Sequence, residues 1–164
     1  MSDDIALPFP DESWDPMATT AADVMSAPVV TLRSTDTLAA AWERLFGHDI
    51  HHLVVTGPEQ RVVGVLDDRR LALEWPMGPL GPHRRRLHDV LPRRVHCVLP
   101  TTPVAVVAET MAREGLDATP VVLADGTLIG IVTSGDVVAF VGAAHRMNGS
   151  HPCRRAILAP AYPG

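Results

Sequence analysis

Apolar and polar positions follow two rhythms in this chain, and the succession of rhythms occurs twice. Val104, Val107, Ala108, Met111 and Ala112 recur at helical spacing, and earlier Leu38, Ala41, Trp42, Leu45 and Phe46 do the same. An amphipathic helix is therefore predicted in each half. After the second helix come two short apolar runs, PVVL and LIGIVT, joined by a turn at Ala124-Asp125-Gly126-Thr127, and then DVVAFVGAA reads as another helix. Ahead of it, VHCVL is a β-branched strand candidate, and Thr102 before Pro103 predicts a helix start capped by Thr102. Each copy thus reads strand, helix, strand, strand, helix.

The two copies stand at a constant offset. Without a gap, a shift of 66 positions pairs Asp23 with Asp89, Val29 with Val95, Ala39 with Ala105, Val55 with Val121 and Gly64 with Gly130. The chain divides into a mobile N-terminal tail (1–18), a first repeat (19–75), a linker (76–87), a second repeat (88–144) and a mobile C-terminal tail (145–164). Pro and Gly in the linker block a long helix there. Neither copy is large enough to cover both faces of its own sheet, so the two are expected to pack sheet against sheet around a joint core. One difference stands out: Val63–Arg70 reads VGVLDDRR where Ile129–Asp136 reads IGIVTSGD. The scaffold is kept and the tip is changed.

With 164 residues, 46% apolar content and a net charge of -5, the chain is globular and its charge does not suggest general nucleic-acid binding. All 14 basic residues are Arg, which excludes a P-loop lysine, a Schiff-base lysine and a lysine general base. No apolar run approaches the roughly 18 residues of a membrane span, and the acidic start lacks the build of a signal peptide, so a cytoplasmic protein is expected. Cys97 and Cys153 are too few for a disulfide framework, and Cys97, inside an apolar run, reads as buried. With three Phe, one Tyr and three Trp, no aromatic surface for RNA is indicated.

ADVM with PVVTL, the helix, IHHLVV and VVGVL, followed by HDVL, the second helix, TPVV and LIGIVTSGDVV, resemble two cystathionine beta-synthase (CBS) repeats forming a Bateman module over residues 22–141. The resemblance implies an α+β fold of tandem CBS repeats packed sheet to sheet with pseudo-two-fold symmetry. It also implies a regulatory module without catalysis or cofactor that binds an adenosine-containing ligand between its repeats. AMP, ADP or ATP lead, with NAD or S-adenosylmethionine as further candidates. A homodimer through the helices is expected, with small apolar positions such as Ala39, Ala40, Val106 and Val137 as surplus surface, together with an unidentified regulated protein. The competing reading is a ligand-free structural or partner-binding CBS dimer.

The TSGD tip has two readings. Thr133 and Asp136 form the pattern of a capping box, in which each side chain bonds the other's backbone. A helix N-terminus with a hydroxyl also suits a phosphate, and a carboxylate suits a ribose. Carried over from the family by position, Thr133, Ser134 and Asp136, with Ile131 behind them, face Met25 and Val30 from the first copy's leading strand and Ile50, His51 and His52 from its turn. Core packing is the alternative for Met25, Val30, Ile50 and Ile131. The reciprocal cleft would use Asp67–Arg70 with Leu91, His96, Leu116, Asp117 and Ala118. There Arg70 replaces the ribose-binding Asp and Asp67 the hydroxyl, which disfavours an anion, and an Asp67–Arg70 surface ion pair is the plainer role. His48, His51 and His52 invite a metal hypothesis, but adjacent strand positions point to opposite faces, and a pH-responsive cleft is the other option. The HRRR run, His83–Arg86, reads as a solvated linker or a contact for phosphate or an acidic partner.

Overall fold

In a computed structural model the described residues are 15, 17–75 and 81–147. Both tails, Cys153 and residues 76–80 of the linker otherwise lie outside them. A short helix α1 (Ala21–Val24) leads into β1 (Thr31–Arg33), α2 (Leu38–Gly47), β2 (His52–Thr56), β3 (Val62–Asp67) and α3 (Asp68–Glu74). One turn of helix, α4 (Gly81–Arg84), belongs to the linker, and the second repeat supplies α5 (Val104–Glu114), β4 (Ala118–Val122), β5 (Leu128–Thr133) and α6 (Ser134–Met147). The first sheet has the order β1-β2-β3, with β1 parallel to β2 and β2 antiparallel to β3; the second is the β4-β5 hairpin.

The leading strand expected at VHCVL is reduced to a single parallel bridge, Val98 to Val121, at the register where Leu32 meets Val55 in the first repeat. Two prolines account for this. In the first repeat Val54 N–H donates to Val30 C=O at 3.1 Å and Ser34 N–H to Thr56 C=O at 2.8 Å. The equivalent donors, 66 positions on, are Pro120 and Pro100, which have no N–H. Only the central bonds survive, Val98 N–H to Pro120 C=O and Val122 N–H to Val98 C=O. Cys97 is exposed rather than buried, as its equivalent Thr31 is in the intact strand of the first repeat, because both lie on the outward face of the leading segment.

Each repeat's leading segment docks on the other repeat. Ala21 is fully buried with Val107, Met111, Val121 and Val132 of the second half, and Ala21 N–H and Ala22 N–H donate to Thr102 C=O and Pro100 C=O. Conversely, Leu87 and Val90 are buried in the first half's cluster with Leu38, Leu45, Leu53 and Leu66. A third cluster of Val54, Ala118 and Ile131 joins the two sheets. These contacts obey the internal offset: Met25 lies over Gly130 and Leu91 over Gly64, so closely that a β-carbon would come within 2.8 Å of Met25 Cγ and 2.7 Å of Leu91 Cδ2. The shared apolar-Gly-apolar pattern exists because the exchanged segment rests on that glycine.

Three further expectations change. Helix α5 begins one residue later than predicted, with Pro103 at its cap position, while the Thr102 hydroxyl accepts from Leu99 N–H at 3.1 Å. On α2, Trp42 and Phe46 are 38% and 58% exposed, stacked at 4.0 Å, because Leu38, Ala39, Ala41 and Leu45 already fill the core side. In the HRRR run, Arg85 binds Glu74 at 2.7 Å and Arg86 donates to Thr35 C=O at 2.9 Å, so these two residues clamp the linker to the first repeat. No helix among the described residues is long and apolar enough to cross a membrane.

Candidate functional site

At the start of α6 the capping box is complete. Thr133 Oγ1 accepts from Asp136 N–H at 3.2 Å, and Asp136 Oδ2 accepts from Thr133 N–H at 2.8 Å and from its hydroxyl at 2.7 Å. The other carboxylate oxygen receives a long hydrogen bond from Ser26 of the first repeat at 3.4 Å. Ser134 N–H donates to Asp117 C=O at 2.9 Å, as Asp68 N–H does to His51 C=O at 3.1 Å in the other half. Gly135 sits between them with a first-turn N–H that the helix does not use.

In front of this junction lies a cavity of about 560 Å³, within the usual size range for small-molecule sites. Val30, Ile50, His51, His52, Ile131, Thr133 and Ser134 of the predicted residues line it. Val29, Val30, Ile50 and Ile131 give it an apolar wall. Met25 is not in the lining, since its side chain is spent on Gly130. Asp136 is not in it either; its carboxylate lies behind Thr133 and Ser26, which are. Backbone at residues 50–52 is partly committed, with Ile50 N–H on Leu45 C=O and His51 C=O taken by Asp68.

The two histidines behave differently. His51 Nδ1 lies 2.8 Å from Asp68 Oδ2, and this hydrogen bond with its attendant attraction raises the imidazole's pKa and lowers that of the carboxyl. Burial shifts His52 the other way, opposed by the nearby carboxylates of Asp67, Asp117 and Asp68. His48 caps the end of α2, so the three imidazoles do not converge. Among the described residues no group of three or more His, Cys, Asp or Glu is placed to hold a metal.

The reciprocal cleft is a cavity of about 330 Å³ lined by Asp67, Arg70, His96, Leu116, Asp117 and Ala118, among others. Leu91 is absent because it covers Gly64. The expected Asp67–Arg70 ion pair does not form. Asp67 caps α3 by accepting Arg70 N–H, while the Arg70 guanidinium donates to Val90 C=O at 3.1 Å and lies 3.9 Å from Glu74. His52, Asp67 and Asp117 line both cavities. This shared wall escaped the sequence reading, which placed Asp67 and Asp117 in the smaller cleft alone. Ser26, Val29, Asp68, Arg69 and Gly135 were also missed in the larger cavity, although Asp68 and Gly135 are tip neighbours of residues singled out. A further cavity of about 460 Å³, between the turns bearing Arg61 and Asp125, contains none of the predicted site residues.

Known proteins resemble this chain in sequence and in fold. Hypoxic response protein 1 of Mycobacterium tuberculosis is 28% identical over 119 residues, 73% of this chain and 82% of that protein. A homoserine O-acetyltransferase of Methanococcoides burtonii is also 28% identical, over 76% of this chain but 24% of the enzyme. The crystal structure of the CBS domain pair of protein MJ0100, in complex with 5′-methylthioadenosine and S-adenosyl-L-methionine, superposes with a TM-score of 0.67 at 26% identity, covering 77% of this chain and 98% of that one. That of Hypoxic Response Protein I with two coordinated zinc ions gives 0.66 at 27% identity, covering 74% and 98%. Residues 21–74 and 87–143 each match the CBS domain family, and these two segments are the halves whose leading segments are exchanged; the chain belongs to the CBS domain family as a tandem pair.

Proposed function

We propose that the chain is a regulatory module, not a catalyst, that senses an adenosine-containing ligand in the larger cavity. The observation that carries this is the cavity's joint construction: an apolar wall of Val29, Val30, Ile50 and Ile131 faces a helix N-terminus bearing Thr133, Ser134 and Gly135. An adenine suits the first and a ribose the second, with Asp136 reaching the sugar hydroxyls past Thr133. The ligands of the MJ0100 domain pair support the class. One ligand per chain is expected, since the smaller cavity, about 330 Å³, lacks a hydroxyl at its helix start and carries Arg70 in place of the acid. A thermal-shift panel of AMP, ADP, ATP, NAD and S-adenosylmethionine tests the class, because a ligand at 100 times its dissociation constant adds about 2.7 kcal/mol. Calorimetry then counts the sites; two equivalent sites per chain would refute the single-site reading.

A second reading is a ligand-free structural or partner-binding dimer. It is favoured by one fact: Thr133 and Ser26 already occupy both oxygens of Asp136, so capping alone accounts for that residue. Both readings include a homodimer formed through the helices. Trp42, Phe46, Leu73, Val138 and Val141 are exposed on them and supply the surplus apolar surface together with Val106, whereas Ala39 is buried within the chain and Val137 packs on the second half's core. Light scattering at micromolar concentration should return twice the mass of the chain.

A further inference from the structure

We propose that the larger cavity takes an adenosine whose 5′ arm is uncharged or cationic, and that the carboxylates on the wall shared by the two cavities turn polyphosphate nucleotides away. The inference rests on the adenosine reading above and narrows it. Asp67, Asp68 and Asp117 line the cavity, and Arg69, which is exposed, is the one permanent cation in its lining among the described residues. The tip's other arginine has withdrawn: Arg70 points to Val90 C=O and Glu74 on the side of the smaller cavity.

Two of these carboxylates are held in place. Asp67 is fixed by capping α3 through Arg70 N–H, and Asp68 by His51 at 2.8 Å. They cannot swing aside for a phosphate without breaking those bonds. The attraction available to offset them is small: His51, whose pKa Asp68 raises, is spent on that carboxylate and leaves Asp67 and Asp117 unopposed. A helix N-terminus carries about half a positive charge, and of the first-turn N–H groups of α6, Ser134's is bonded to Asp117 C=O and Asp136's to Thr133 Oγ1. What remains at Gly135 suits a hydroxyl or one neutral acceptor. Each like-charge contact near 4 Å weakens binding about fivefold even at the dielectric of water, and more where walls exclude solvent. A thioether avoids the repulsion, and a sulfonium or ammonium group reverses it.

The test is calorimetry at about pH 7.5, where His52 is neutral, with 5′-methylthioadenosine, S-adenosylmethionine, AMP and ATP as probes. Methylthioadenosine and S-adenosylmethionine should bind, with ATP at least about tenfold weaker than methylthioadenosine. In the double variant Asp67→Asn, Asp117→Asn, where the new amide oxygen at the first position still caps α3, the ratio of ATP to methylthioadenosine affinity should rise about tenfold. A thermal melt confirms that the variant is folded. ATP binding as tightly as methylthioadenosine, or a ratio unmoved in the folded variant, overturns the charge selection while leaving the adenosine site intact. Binding by none of the four removes the adenosine site, and this inference with it.

Discussion

The strand-to-helix junctions at Asp67–Arg70 and Thr133–Asp136 use the same backbone for different ends. In both, the first side chain caps the helix by accepting the N–H of the residue three further on. Asp136 then returns its carboxylate to Thr133 and stays behind the wall of the larger cavity. Arg70 instead leaves for Val90 and Glu74 and ties α3 to the segment that follows the linker. Capping tolerates an Asp or a Thr, so folding does not constrain which chemistry the tip offers. One junction presents a hydroxyl backed by an acid to the larger cavity, and the other presents carboxylates and spends its last arginine on a clasp.

Replacing the acid separates the two roles most sharply. Asp136→Ala should weaken an adenosine ligand by roughly ten- to a hundredfold by calorimetry, while Asp136→Asn, which keeps one acceptor for Thr133, should lose affinity with little change in melting temperature. Unchanged affinity in both variants would leave Asp136 with a capping role alone. Next in size, Gly130→Ala should cost about 1–3 kcal/mol in urea unfolding, because Met25 leaves no room for a β-carbon. Met25→Ala on the same chain should recover part of that loss, and a strictly additive double variant would show that the contact is not the cause.

Two smaller tests compare equivalent positions. Thr119 is fully buried with an unpaired hydroxyl among the described residues, where the first repeat has Leu53; Thr119→Val should raise stability by about 1 kcal/mol. In the hairpin turns, Gln60 holds φ 59° where the second repeat has Gly126 at φ 89°, so Gln60→Gly should also stabilise, by up to about 1 kcal/mol. A destabilised Gln60→Gly protein would show that the left-handed backbone at this turn is not strained. The least effect is expected from acid titration. His52 has a folded-state pKa lowered by burial, so stability is full above its unfolded value of about 6.5 and falls as pH drops through it. His51, with its pKa raised by Asp68, contributes below that value and loses its contribution as pH rises through its folded pKa. Urea midpoints measured from about pH 7 to about pH 5 should therefore fall less in His52→Gln than in the parent.

Local rules made the repeats, the helices and the strand glycines legible, because periodicity and a constant offset of 66 are properties of the chain itself. The weak leading strand of the second half was legible only in part. Pro100 and Pro120 are visible in the sequence, but their cost appears only once the donors they replace are known from the first half. The exchange of leading segments has no local signature: Ala21 and Leu87 look alike whether they bury against their own repeat or the other. In the site, the family resemblance carried over by position found Val30, Ile50, His51, His52, Ile131, Thr133 and Ser134, yet it treated the clefts as separate. Asp67 and Asp117 belong to both because the sheets meet there, a consequence of packing rather than of spacing.

The exchanged segments also determine how the molecule comes apart. Helix α1 completes the second half's core and Leu87 completes the first's, so melting either half strips a buried residue from the other. The halves should unfold as one cooperative unit, with backbone amides in β2 and in β4 exchanging hydrogen at matched rates. An occupant that tightens one cleft then stiffens strands on the far side of the pair, and a change of shape is not needed for its presence to be felt there.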